Sequence, residues 1–285
     1  MFGKLFRYEW KSQMRSVLPV CAALLALSLV NGVLLRASRL WEATMPSKLR
    51  AVLDFVMVLA QAFYGILLVA LFVFVLVVFI LRFYNGMLGR EGYLAFTLPV
   101  KTWQLVWSKA AAAMVMWVVV AGIAALSAFV FSMVGVFVPS DWLGVQEQLA
   151  RLGRFMQTAE AWHTGLIVLE LLLLLILSFF GGIFHFYLAM AFGQLSRDHK
   201  VLLSVVWYVV IDMVKGLVFL LLGALVFNGV AKFWPQGIHI EQMSSLAAMG
   251  VFEAMMLFVI VGAALQMAVL AGATVFTLDR HLNLE

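Results

Sequence analysis

The sequence predicts an all-α, polytopic membrane protein with six transmembrane helices. Of its 285 residues, 65% are hydrophobic and 12% are charged, and the mean hydropathy is +1.08. Soluble domains, in contrast, carry roughly a quarter charged residues. The chain also contains six apolar runs of about twenty residues, the length that a hydrocarbon core of about 30 Å requires of a helix. These observations place residues 1–285 in a single transmembrane domain.

The six apolar runs define the predicted spans, which short polar stretches separate. The first run follows a basic segment but is longer than the apolar region of a signal peptide, so we interpret it as a retained span. The single cysteine, Cys21, lies inside this run and has no partner for an intrachain disulfide. The predicted spans are Val17–Leu35, Phe55–Leu81, Met114–Val138, Thr164–Ala189, Val201–Phe227 and Val251–Thr277.

The distribution of lysine and arginine predicts the orientation, because cytoplasmic loops of membrane proteins carry an excess of both. With six spans the two termini share one side, and basic residues clearly outnumber acidic residues there. On the other side the two kinds balance, although a basic cluster between Arg36 and Arg50 lies there. We therefore expect both termini in the cytoplasm. The net charge of +5 reflects this topology and gives no argument for nucleic-acid binding.

Two shorter helices are predicted outside the spans. In residues 1–16, helical spacing separates an apolar stripe from a basic one, which predicts an amphipathic helix in the membrane interface. The alternative is a basic flank that only orients the first span. Between residues 139 and 163, leucines at helical spacing predict a short helix on the outer face. The apolar stripe of the amino-terminal segment is Phe2, Leu5, Phe6, Trp10 and Met14, and the basic stripe is Lys4, Arg7, Lys11 and Arg15.

Motifs for membrane-bound catalysis are missing from the sequence. It contains no HExxH for a zinc protease and no GxSxG for a serine nucleophile. The histidines are scattered, so we predict neither a catalytic site nor a metal site. The sequence has no GxxxxGK[ST] either, so any ATP must be bound by another polypeptide. An intramembrane enzyme is therefore disfavoured.

Three charged residues fall well inside the predicted spans, away from their ends, and each costs roughly 2.5–3.5 kcal/mol at a helix centre. Counting 1.5 Å per residue from opposite ends of a core of about 30 Å places Glu170 and Lys215 at the same depth, which predicts an ion pair. Asp212 lies one turn from Lys215 and can share its ammonium group. The pair either holds two spans together or takes part in substrate passage. His185 is expected to be an interhelical hydrogen-bonding residue.

The longest cytoplasmic loop, residues 82–109, contains the stretch GREGYLAFTLPVK between two apolar runs. Gly89 is expected to supply the left-handed residue that ends a helix, and Gly92 to permit a second reversal. Pro99 fits the first turn of a new helix. This order predicts a compact cytoplasmic knob, which is either a plain connector or a docking surface for a partner.

The run RFYNGMLGREGYLAFTLPVKTWQLVWSK resembles a motif of permease subunits of ATP-binding-cassette transporters of the type-two exporter class. In that family an acidic-Gly-Tyr step precedes a Phe-Thr-Leu-Pro-Val run between the second and third spans. The amphipathic start and the terminal LNLE are also similar. The sequence departs from the family at Lys101-Thr102, where a small helix-capping residue is usual; Thr102 is the candidate cap. The matching residues are Glu91, Gly92, Tyr93, Phe96, Thr97, Leu98, Pro99 and Val100, with Gln104, Ser108 and Lys109.

The resemblance implies that residues 82–109 couple the membrane domain to a separate ATPase subunit, which binds ATP and Mg. It also implies a second permease copy or paralogue, a place in the bacterial cytoplasmic membrane, and no enzymatic activity in this chain. The rival interpretation is a non-transporting membrane assembly or sensor subunit. The residues that the resemblance assigns to ATPase coupling are Arg90, Glu91, Gly92, Tyr93, Phe96, Thr97, Leu98 and Pro99.

Overall fold

The computed structural model describes residues 2–41, 46–89, 92, 97, 99–135, 141–158, 160–195, 199–233 and 245–280. Every secondary-structure element in these ranges is helical, as predicted. A π-helical turn, Tyr84–Leu88, extends the second helix. The α-helices are α1 (Phe2–Trp41), α2 (Ser47–Phe83), α3 (Thr102–Gly135), α4 (Asp141–Phe155), α5 (Glu160–Gly193), α6 (Lys200–Phe233) and α7 (Ser245–Arg280).

Six of the described helices are long and apolar enough to cross a membrane, judged by length and composition. Each predicted span lies within one of them, except that residues 136–138 fall outside the described part of the chain. A helix of 34 residues, such as α5, is about 51 Å long, well beyond the hydrocarbon core of about 30 Å. The polar flanks of each apolar run continue the same backbone hydrogen-bond pattern, so the helices exceed the spans.

Of the two helices predicted outside the spans, one is present as a separate helix and the other is part of α1. The short helix between residues 139 and 163 is confirmed as α4, Asp141–Phe155. The amino-terminal segment is helical, but it is not separate, because α1 runs without interruption from Phe2 to Trp41 with Pro19 inside it. Pro19 lacks the N–H that would donate to the Arg15 carbonyl, so the helical hydrogen-bond pattern is weakest near the predicted boundary. The interfacial position of residues 1–16 stays a prediction.

The described contacts divide the chain into two units, residues 1–83 with 104–149 and residues 84–103 with 150–285. In the first unit α1, α2 and α3 surround one hydrophobic core. The lone cysteine is part of this core and is a free thiol. The core side chains are Val17, Cys21 and Leu24 of α1, Leu71 and Val75 of α2, and Met116 and Val120 of α3.

Side-chain contacts define the register of the first unit. Phe72 stacks on Trp117 with ring centroids 5.6 Å apart, and the Tyr64 hydroxyl lies 2.9 Å from Ser127 Oγ. These pairs run in opposite chain directions, so α2 and α3 are antiparallel. This register brings the end of α2 beside the beginning of α3.

The helices α1 and α3 approach each other closely at two glycines. A Cβ added to Gly32 would lie 2.9 Å from Val134 Cβ, and one added to Gly135 would lie 3.1 Å from the Gly32 carbonyl oxygen. Small residues permit such approaches between membrane helices, where packing provides much of the association energy.

The second unit contains α5, α6 and α7. Phe192 of α5 packs against Trp207 of α6 with ring centroids 5.0 Å apart, near the short connection between the two helices. Toward the other end of α5, His163 Nδ1 lies 2.9 Å from Glu253 Oε1 of α7. The antiparallel pairing of α5 with α6 decides which polar side chains inside the spans meet.

We predict that Gly32→Ala lowers the free energy of unfolding by about 1–3 kcal/mol, the usual cost of overpacking. The matched control is Gly122→Ala in α3, where an added Cβ meets nothing within 4 Å. This control should be neutral or stabilise the chain by about 0.5–1 kcal/mol, since alanine is the better helix former. Thermal or denaturant unfolding of both variants in detergent measures the difference. Equal effects of the two substitutions would contradict this packing.

Candidate functional site

The predicted coupling segment is described at only a few of its residues. Gly92 is buried, whereas Thr97 and Pro99 are exposed. Arg90, Glu91, Tyr93, Phe96 and Leu98 lie outside the described residues.

The end of α2 differs from the prediction. Gly89 does not adopt the left-handed conformation expected of it. The helix instead widens into the π-helical turn, and the Gly89 N–H donates to the Tyr84 carbonyl at 2.8 Å. The Gly89 N–H is thus satisfied by a carbonyl five residues earlier in the chain, and no left-handed cap is needed. Single π turns of this kind occur frequently at functional sites.

Gly92 is held against the backbone of this turn. Its N–H donates to the Gly89 carbonyl at 2.9 Å. A Cβ at Gly92 would lie 2.5 Å from the Met87 carbonyl oxygen and 2.8 Å from its carbon. These are backbone atoms that cannot rotate away, so only glycine fits without a shift of the chain. The close approach, and not a positive φ, explains the second glycine of the motif.

Beyond the turn, Gly92 and Thr97 are helical, and Pro99 and Val100 form a bend before α3. Pro99 precedes α3, which begins at Thr102, so Pro99 does not occupy the first turn of the helix as predicted. Pro99 and Lys101 are both exposed. These two side chains, just before α3, are therefore accessible on the surface of the chain.

A buried charge cluster in the first unit was not predicted. The Lys109 ammonium of α3 donates to Glu9 Oε1 of α1 at 2.5 Å, and Arg82 Nη1 of α2 lies 4.0 Å from Glu9 Oε2. Glu9 and Lys109 are each 8% exposed. The Glu9 carboxylate thus contacts both basic residues at the two ends of the loop 82–109. Burying a charge is costly unless it is paired, and here it is paired.

The sequence does contain a signal for this cluster. Glu9 is the sole acidic residue among the first 41 and lies in a basic segment. In the structure Glu9 and Gln13 are buried one turn apart and continue into Val17 of the core. The predicted apolar stripe is less covered, and Phe2 is 37% exposed. The face of α1 that packs is therefore polar at its start, which a search for apolar periodicity does not find.

The second unit contains the charge cluster predicted within the spans, with one change of partner. Lys215 Nζ lies 3.0 Å from Asp212 Oδ1, as predicted, and 2.9 Å from His185 Nδ1 of α5. His185 Nε2 lies 2.9 Å from the Tyr208 carbonyl oxygen, and its ring stacks on Tyr208 at 4.2 Å. His185 thus bonds between helices, as predicted.

These partners determine the tautomer of His185. A carbonyl oxygen only accepts, so Nε2 must carry the proton that it donates to Tyr208. The other nitrogen, Nδ1, is then free to accept from the Lys215 ammonium. In this arrangement the imidazole is neutral, and the positive charge stays on Lys215 beside Asp212. The His185 side chain is 3% exposed, whereas that of Asp212 is 64% exposed.

The predicted pair between Glu170 and Lys215 is wrong. No described ion pair includes Glu170, which is 7% exposed, and its Oε2 has no hydrogen-bond partner among the described residues. Lys215 lies beside His185, and Glu170 is about four turns, or roughly 22 Å, farther along α5. The depth estimate failed because the helices are longer than the membrane core, so positions counted from opposite ends do not coincide.

Other features of the described residues offer little chemistry. They contain no group of three or more His, Cys, Asp or Glu side chains that could hold a metal ion. An open depression along α2 has only apolar lining side chains and so no group that orients a polar substrate. Its lining residues are Ala62, Gly65, Ile66, Val69, Ala70, Val73, Phe74 and Val77.

Comparisons of the chain with known protein families, with curated protein sequences and with solved structures found no match.

We predict that His185→Phe and Lys215→Met are coupled, because they remove the two sides of one contact. Phenylalanine retains a ring that can stack on Tyr208. A double-mutant cycle in detergent should give an interaction energy of about 0.5–3 kcal/mol. The control cycle, Glu170→Gln with Lys215→Met, should be additive within about 0.5 kcal/mol. Coupling in the control cycle but not in the first would contradict these contacts and support a pair between Glu170 and Lys215.

Proposed function

We propose that this chain is a transmembrane permease subunit of an ATP-binding-cassette exporter, which couples ATP hydrolysis by a separate ATPase subunit to substrate export. The observation that carries this proposal is the segment between α2 and α3. There the Glu-Gly-Tyr and Phe-Thr-Leu-Pro-Val motifs adjoin a turn in which Gly92 packs directly on backbone. This packing supports a segment of defined shape, as docking requires, more than a plain connector.

The arrangement of the helices supports a mechanical role for this segment. Helices such as α2 and α3 are rods of about 50 Å, and the segment joins their neighbouring ends. In the proposed mechanism, closure of the ATPase subunits on nucleotide pushes on the segment. The spans then tilt as rigid bodies and open a pathway at the interface with a second permease copy or paralogue. Both termini and the segment lie in the cytoplasm of a bacterium in this proposal.

The cluster around Lys215 suits either of two roles in such a protein. Charged side chains within membrane spans generally face a protein interior, a water-filled cavity or another polypeptide. Asp212 is largely exposed within this chain, which favours a pathway or a contact with the second permease subunit. The alternative is that the contact of Lys215 with His185 only holds α5 and α6 together.

A non-transporting membrane assembly or sensor subunit is the second candidate function. The exposed apolar surface of the helices supports it equally, because membrane proteins of any kind have such a surface. The two candidates differ in their need for an ATPase, and the coupling segment is the place to test it.

We predict that the purified chain hydrolyses no ATP and gains activity as a complex with a separate ABC ATPase subunit. Tyr93→Ala and Phe96→Ala should each weaken ATPase binding by about 2 kcal/mol or more, the usual cost of truncating an aromatic anchor in a partner pocket. Pull-down and ATPase assays with the reconstituted complex measure both effects. Trp162→Ala, which truncates an exposed aromatic near the start of α5 and outside residues 82–109, is the matched control.

Two results would argue against the coupling assignment. Robust ATP hydrolysis by the single chain would remove the need for a partner. Full binding and stimulation of the ATPase after truncation of both Tyr93 and Phe96 would make the segment a connector. Membrane insertion and monodispersity of each variant must match those of the unaltered chain, since loss of fold would imitate loss of docking.

A further inference from the structure

The cluster at Glu9 joins three helices at the base of the coupling segment. Arg82 lies in the last turn of α2, and Lys109 lies about two turns into α3. Glu9 belongs to the amino-terminal part of α1. A single carboxylate is therefore the point at which both ends of the segment meet α1.

The two cations are not bound equally. Lys109 donates to Oε1, and both side chains of this pair are about one-tenth exposed. Oε2 is buried without a hydrogen-bond partner among the described residues, while Arg82 Nη1 lies 4.0 Å from it. Hydrogen bonds of this kind are about 2.7–2.9 Å long, so a shift of about 1 Å would complete the second bond.

Arg82 is the more exposed of the two cations. Its side chain is 31% exposed, three times the value for Lys109 in the same cluster. The guanidinium group has five donors in a planar fork and can meet Oε2 from several directions. Within the cluster, Lys109 is hydrogen-bonded to Glu9 and nearly buried, whereas Arg82 is more exposed and lies beyond hydrogen-bond distance.

We propose that Glu9 is a positioning residue that transmits displacement of the segment between α2 and α3 to α1. When the end of α2 moves toward α1, Arg82 bonds Oε2, and α1 is locked to α2 as well as to α3. When α2 moves back, Lys109 is the only one of the two cations that is hydrogen-bonded to Glu9. The inference rests on the proposed function only for the source of the displacement, which is the docked ATPase.

The test uses spin labels in the full chain, reconstituted in nanodiscs of bacterial polar lipids. Cys21, the single cysteine, is replaced by alanine, and cysteines are placed at two exposed positions, Tyr8 in α1 and Leu81 at the end of α2. Dipolar spectroscopy then measures the distance distribution between the labels. We expect a short and a long population in the otherwise unaltered chain.

Two variants should empty the short population. Arg82→Met and Glu9→Gln should each reduce it by at least about tenfold, the effect of losing one charge-assisted hydrogen bond. Arg82→Met should lower the thermal midpoint less than Glu9→Gln does, because Arg82 makes no hydrogen bond to Glu9 in this structure, whereas Lys109 does. If the cluster had a purely structural role, the variant that changes the label distances most would also lower the thermal midpoint most. Arg82→Met also tests the proposal if Glu9→Gln fails to fold.

The control is Glu253→Gln, which removes a different largely buried carboxylate with a basic partner, His163. It should leave the distances unchanged. The proposal is overturned if Arg82→Met preserves the short population, or if Glu253→Gln abolishes it equally. Adding the ATPase with a non-hydrolysable nucleotide should raise the short population in the unaltered chain and not in Arg82→Met. Failure of the ATPase to bind at all would count against the proposed function while leaving the result of the first comparison standing.

Discussion

The constraint on which this structure depends is the absence of water from the bilayer core. Backbone N–H and C=O groups must bond within the chain there, and helices achieve this within a single segment. The same constraint governs side chains, because a charge away from water must find a partner. The chain therefore consists of long apolar helices, and two of its charged side chains make contacts that fix helices against one another. These side chains are Glu9 and Lys215.

The two clusters fix helices by different means. At Glu9, a buried carboxylate meets cations from two other helices, so one side chain contacts both neighbours of α1. At Lys215, a neutral imidazole and a neighbouring carboxylate share one ammonium group across α5 and α6. Removing one partner of a buried pair costs more than the pair contributes, so such contacts specify an arrangement more than they stabilise it. That property suits a protein whose helices move as units.

The sequence predicts the helices well, because apolar runs of membrane length have one common solution. It also predicts α4 and the contact between Asp212 and Lys215, since both depend on local helical spacing. The pairing of Glu170 required the register between two helices, which spacing along one helix does not provide. The burial of Glu9 was missed for a related reason: its partners are about 70 and 100 residues away, and its polar character hid the packed face of α1. The need for glycine at position 92 was expected, but its cause, a close backbone approach, required the structure.

The claim that the segment between α2 and α3 docks an ATPase is tested most directly at Thr97, an exposed residue inside the motif. A photo-crosslinking amino acid placed there in growing cells, followed by mass spectrometry of the adduct, identifies whatever the segment touches. The account predicts one dominant adduct, with a polypeptide that carries the GxxxxGK[ST] motif. This adduct should be absent when the photo-crosslinking amino acid is placed instead at Leu149 of α4. An adduct dominated by lipid, or by a protein without a nucleotide-binding motif, would contradict it.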